Sequence, residues 1–133
     1  MFGYDNVHTE VVTISDPGAD GTLVIWKAPT RLAKVEILEA WAVCDTAIAG
    51  VGTAITLTLL DRGAKGTASP GTVSAALGAT GTGDWTAHVP RDFTISEGTL
   101  DGGDYLCLKY VEDGTIAPAN ISVGFSWVSG VGA

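Results

Sequence analysis

The sequence predicts an all-β fold, and three observations carry that prediction. Apolar and β-branched residues alternate with period two through most of the chain, as half-buried strands do. Clusters of Gly, Pro and Asp interrupt the alternation at short intervals, and each has the chemistry of a turn. Apart from residues 31–44, no stretch repeats at helical spacing. The chain has 133 residues, 46% of them hydrophobic and 17% charged. That suits a single domain with a core of its own and an unusually uncharged surface of Gly, Thr, Ser and Ala.

Residues 1–7 read as an N-terminal arm and residues 8–133 as the domain. Residues 8–15 alternate, with Val12 and Ile14 on one side. The Asp-Pro-Gly-Ala-Asp-Gly run at 16–21 is a turn, because Pro presets φ, Gly supplies positive φ and Asp bonds the local backbone. Residues 22–28 form the next strand, with Leu23 and Ile25 opposing Val24 and Trp26, and Pro29 ends it. In 31–44, Leu32, Val35, Leu38 and Ala42 fall at helical spacing and Ala, Leu and Glu favour helix. The alternation at 35–37 and 41–43 outweighs this, so the segment reads as one long strand bent or bulged near Glu39.

Residues 53–62 form a strand with Ile55, Leu57 and Leu59 facing one way and Thr56 and Thr58 the other. Gly63, Gly66, Pro70 and Gly71 make 61–72 a loop. A short strand at 73–77 follows, then a glycine-rich loop at 78–84. Residues 85–89 are strand-like, confined by Pro90 to an edge or a strand end, and Phe93 and Ile95 continue extended. A turn at 97–104 leads into a strand at 105–112, with Leu106, Leu108 and Tyr110 on one face and Cys107 and Lys109 on the other. After a turn at 113–114, residues 120–128 close the domain with an inward row of Ile121, Val123, Phe125 and Trp127. About eight strands with short turns predict a single-domain antiparallel β-sandwich, jelly-roll-like in kind.

The formal net charge is −8, and the seven Lys and Arg residues are scattered. Affinity for nucleic acid comes largely from basic groups on phosphates, so neither nucleic acid nor an anionic membrane is an expected partner. No run approaches the ~20 apolar residues of a membrane span. The opening residues lack the basic and apolar regions of a secretory signal, which predicts synthesis in a cytoplasm. Cys44 and Cys107 lie inside strand-like runs and read as reduced, mostly buried thiols.

Catalysis is not expected. His8 and His88 stand apart, with no nucleophile motif beside either. Two Cys and two His without ligand spacing do not make a zinc site. Glu97, Asp101 and Asp104 offer the oxygens of a Ca²⁺ loop, but a tight turn before a core strand explains them better. Asp45 with Asp61, or Asp92 with Glu97, would serve glycoside hydrolysis only at a defined separation, which spacing does not give. No cofactor is predicted.

Four tryptophans are many for this length. Trp41 and Trp127 read as core. Trp26 and Trp85 are candidates for contact with a partner, and Trp85 follows a glycine loop where an indole would stack on a sugar or anchor a protein interface. Phe2 and Tyr4 on the arm are further anchors. With Gly66 and Gly81 from the two glycine loops, the candidate interface is Phe2, Tyr4, Trp26, Gly66, Gly81 and Trp85.

Three segments share a texture: Ala-Val-Cys-Asp-Thr-Ala at 42–47, Leu-Leu-Asp-Arg-Gly-Ala at 59–64 and Thr-Leu-Asp-Gly-Gly-Asp-Tyr-Leu at 99–106. With them, residues 10–128 resemble the small jelly-roll structural proteins of tailed bacteriophages, in particular capsid decoration (cement) and head-fibre proteins. The resemblance implies a virion component made in the host cytoplasm and carried on the capsid exterior. It implies a homotrimer that binds the major capsid protein and copies of itself, without catalytic residues. The alternative is a carbohydrate- or receptor-binding module of a phage tail or fibre, since fold alone does not choose between them. That reading requires a coplanar exposed aromatic pair, Trp26 and Trp85.

Overall fold

A computed structural model describes residues 7–48, 54–66, 71–78, 85–113 and 118–129. Nine strands form among them: β1 (His8–Ser15), β2 (Gly21–Lys27), β3 (Lys34–Cys44), β4 (Ala54–Asp61), β5 (Gly71–Thr72), β6 (Arg91–Asp92), β7 (Thr99–Asp101), β8 (Tyr105–Asp113) and β9 (Asn120–Ser129). All pairings are antiparallel, and the described residues contain no helix. One sheet runs β1-β9-β3-β6, with β7 also on β3; the other runs β2-β8-β4-β5.

The order follows from rolling one long hairpin. Its arms pair β1 with β9, β2 with β8, β3 with β6 and β7, and β4 with β5. Successive rungs fall in opposite sheets, and β3–β9 and β4–β8 contacts close the roll. This is a jelly roll, the arrangement in which two sheets cover one another's apolar faces. The sequence count of about eight strands included 85–89, which is not a strand, and placed β7 within the turn expected at 97–104. Both β6 and β7 lie along β3, opposite Trp41–Ala42 and Lys34–Glu36, so they are two halves of one interrupted edge strand.

Alternation explains the core. Ile55, Leu57 and Leu59 of β4 and Leu106, Leu108 and Tyr110 of β8 are fully buried, and across the gap lie Ile121, Val123, Phe125 and Trp127 of β9. Each such side chain contributes roughly 1.5–3 kcal/mol through its burial. Within residues 31–44 there is no helix: Lys34–Cys44 is strand, and its ladder to β9 slips between Ile37 and Glu39, a bulge where the sequence predicted one.

Local readings differ from the structure at three further places. In β2 the register slips between Val24 and Trp26, so Ile25 is the extra residue of a bulge and strict alternation fails. Trp26 therefore turns toward the core, on the same side as Ile25, instead of opposing it. The strand expected at 73–77 lies earlier, at Gly71–Thr72, and Ser74 and Leu77 make isolated bridges to Ile95 and Leu57. Residues 85–89 are not a strand: Trp85 bridges Ile48, the Val89 amide donates to Thr86 in a turn, and His88 has φ 63°.

The two long sides of the sandwich end differently. On one, residues 73–75 bond residues 94–96: the Ala75 amide donates to the Thr94 carbonyl (2.9 Å) and the Ser96 amide to the Val73 carbonyl (2.9 Å). The β5 edge and the broken β6–β7 edge are thus stitched together across the sheets. On the other side, β1 and β2 are the outer strands of their sheets.

Candidate functional site

Interaction surfaces on a sandwich are its outer sheet faces and its loops. On the outer face of the five-stranded sheet, the registers align Val11, Gly124, Trp41 and Asp92 in one row crossing four strands. Trp41 is half-buried here, not in the sandwich core, which corrects the sequence reading. Its neighbours along the strand, Ala40 and Ala42, take the inward phase. The indole lies flat across β9, where a Cβ on Gly124 would collide with it. Glycine at this central strand position is therefore a steric need.

Hydroxyls flank this row. Thr13 Oγ1 and Ser122 Oγ are 2.9 Å apart, and Thr9 Oγ1 and Ser126 Oγ 3.3 Å. Ser126 Oγ also donates to Glu39 Oε1 at 3.4 Å. Short side chains bonded to one another lose little rotamer freedom when a partner covers them, which favours association. Leu38, pushed out by the bulge, and Val11 add exposed apolar surface to the same face.

The candidates named from sequence separate. Phe2, Tyr4 and Gly81 lie outside the described residues. Gly66 ends a turn at φ +69°, and its Cβ position is 3.3 Å from the Tyr105 ring, so the loop packs on β8 through backbone alone. Trp26 is half-buried, with its ring centroid 5.2 Å from Phe125 and 5.1 Å from Trp127 in the opposite sheet. Trp85 is 2% exposed, beneath the Arg91 guanidinium at 5.0 Å and against Gly78. Trp85 is closed off from the surface and Trp26 packs partly against the core, so the exposed aromatic pair required by the sugar-binding alternative is not formed by these two residues. Each is held inward by bonding the sequence does not display, a bulge for Trp26 and the two-way Ile48–Trp85 backbone bridge for Trp85.

The structure does gather Cys44, Asp45 and His88. The His88 amide donates to the Cys44 carbonyl (2.9 Å), and His88 Nδ1 lies 3.7 Å from Asp45 Oδ1. The chemistry is wrong for a nucleophile. Cys44 is fully buried in the core whereas the imidazole is exposed, and burial first, then the Asp45 charge, pushes the thiol up to about 12. His8 stacks on Trp127 at the far end of the domain, with centroids 4.4 Å apart. Asp101 of the acidic turn is bound to Lys34 Nζ at 2.8 Å, and the Asp101 amide donates to Asp104 Oδ2 at 3.2 Å. The turn reading of this segment accounts for both.

No protein-family model matches the chain, and no curated protein matches it in sequence. Among solved structures, a chain in the capsid of Ralstonia phage GP4 matches with a TM-score of 0.66, over 94% of this chain and 85% of that one, at 18% identity. The chain therefore shares the jelly-roll fold of that capsid chain. A chain in the acid-stable capsid of Helicobacter pylori bacteriophage KHP30 matches with a TM-score of 0.54, over 92% and 86%, at 5% identity. The likeness is one of fold and spans nearly the whole jelly roll in each case. It agrees with the resemblance drawn from residues 42–47, 59–64 and 99–106.

Proposed function

We propose that this chain is a structural protein of a bacteriophage virion, a decoration protein that binds the outside of the capsid and stabilises it. The supporting observation is the end-to-end correspondence of one complete jelly roll with a phage-capsid chain, 94% of this chain against 85% of the other. In this reading the partners are the major capsid protein and further copies of the chain, as a homotrimer made in the host cytoplasm. The work is done by contact area and not by chemistry. The arm with Phe2 and Tyr4, the loops with Gly66 and Gly81, and the flat Trp41 face each supply a modest contact. Oligomerisation sums such contacts into high avidity. The acidic surface of the chain, net −8, complements basic patches on a capsid lattice.

The test is binding of the purified chain to empty capsids of the phage that encodes it, read by co-sedimentation and by cryo-electron microscopy. Saturable density on the outer surface is expected. A full-length chain that pellets no more than an unrelated protein overturns the proposal. Removing residues 1–7 is expected to abolish binding with an unchanged circular dichroism spectrum. Undiminished occupancy would remove the arm from the interface.

A further inference from the structure

Sheet edges expose unpaired backbone donors and acceptors, and proteins ordinarily blunt them with short strands, bulges, charges or a covering segment. Three edges of this sandwich follow that practice. β5 has two residues, and the β6–β7 edge is broken into pieces of two and three. Backbone bonds between 73–75 and 94–96 also tie these edges together. β2 is bulged at Ile25 and ends on Lys27, whose ammonium sits 5.4 Å from the Tyr105 ring centre. Among the described residues β1 is neither short, nor bulged, nor tied to another edge. It keeps an unbroken eight-residue register with β9, and among the described residues it pairs on that side alone. Its one formal charge at neutral pH is Glu10, whose Oε2 accepts from Trp127 Nε1 at 3.1 Å. At its middle Val11 is 62% exposed.

We infer that β1 is a self-pairing edge, through which two copies of this chain join antiparallel about a two-fold axis at Val11. Side-chain phase selects the register. A shift by one residue would set the core face of one copy against the solvent face of the other. Centring on Glu10 would oppose like charges, which is unfavourable. Centring on Val12 leaves Val7 and His8 outside the pairing. Centring on Val11 uses residues 7–15 entire. Val11 then meets Val11 of the second copy, Thr9 meets Thr13, Glu10 meets Val12 and His8 meets Ile14. β-Branched pairs of this kind stabilise antiparallel sheets. The row Asp92–Trp41–Gly124–Val11 then continues through the axis into its own image, as an isologous contact requires. This two-fold contact uses the β1 edge and is distinct from the contacts of the proposed homotrimer, and it is read without capsids, so its fate is separable from that of the capsid reading.

Disulfide trapping tests the register. In an antiparallel sheet directly opposed residues have Cα atoms about 4.5–5.5 Å apart, within the reach of a disulfide. Both native thiols are buried. Under mild oxidation Val11→Cys is expected to form a covalent dimer on a non-reducing denaturing gel. Val24→Cys, on β2 and similarly exposed at 55%, is expected to stay at background. Thr9→Cys alone is expected to stay at background, yet to cross-link when mixed with Thr13→Cys. Val11→Lys, an edge charge, is expected to weaken self-association in sedimentation at least tenfold with an unchanged melting temperature. Cross-linking of Val11→Cys no faster than Val24→Cys overturns the inference. So does Thr9→Cys dimerising as readily as the mixed pair, or self-association indifferent to Val11→Lys.

Discussion

Burial, then the charge of Asp61 and a hydrogen bond to its carboxyl, push the Asp104 carboxyl up from its ordinary value, while the Asp101 amide pulls the other way. A carboxyl raised in the folded state binds its proton more tightly there than in the unfolded chain. Its contribution is therefore fully present below the unfolded pKa and is lost as pH rises through the folded one. Asparagine in its place stays neutral and still accepts from the Asp101 amide. Asp104→Asn is expected to raise the melting temperature at pH 7 and to have little effect below about pH 4. Thermal melts followed by circular dichroism at the two pH values check this. A variant less stable than the parent at pH 7 would show that the charged form is the one the fold favours. Single residues were also where sequence reasoning was weakest. Trp41 sits in an apolar run and reads as core. Its outward position depends on pairing with Gly124, some eighty residues on, and no local pattern reports that register.

Along each element, period-two patterning was a sound guide wherever the ladder is regular. β1, β4, β8 and β9 fall where alternation put them, and the inward row of β9 is buried as read. The signal fails where a side chain or bulge replaces ladder bonding, as at the end of β5. There the fully buried Ser74 takes over: its Oγ accepts from the Leu59 amide and donates to the Ala75 carbonyl, both at 3.0 Å. The hydroxyl serves β4 as a strand would. Ser74→Ala leaves the Leu59 N–H buried without that partner, and a loss of about 1–3 kcal/mol is expected, read from the denaturant midpoint. A loss near zero would mean that the β4 edge is satisfied in some other way. The turn at residues 63–66 was legible in its glycines, but the sequence gives no sign that Gly66 rests on the Tyr105 ring.

For the whole molecule, the rolled hairpin makes nearly every stabilising contact non-local. Thr9 reaches Ser126 and Leu57 pairs with Tyr110. Loop closure must precede these contacts, so folding is expected in the millisecond-to-second range typical of all-β domains. Stopped-flow refolding followed by tryptophan fluorescence measures it directly, since Trp26 and Trp127 meet only when the two sheets close. A microsecond phase carrying the full amplitude would contradict the argument. The fold class could be read at this scale from period-two alternation and turn spacing. The strand order could not, because many windings share one alternation pattern.

The placement of β8 and β9 has a consequence for synthesis. These strands form the middles of their sheets, yet β1 through β7 all precede them on the ribosome. Thr9 and Ser126 are 117 positions apart, and at roughly 5–20 residues per second the first strand waits on the order of ten seconds for its neighbour. A nascent chain halted anywhere before β9 has β1 and β3 with nothing to lie between them. Translation thus delays both interaction surfaces, since neither the paired β1 edge nor the Trp41 face exists until β9 has been made.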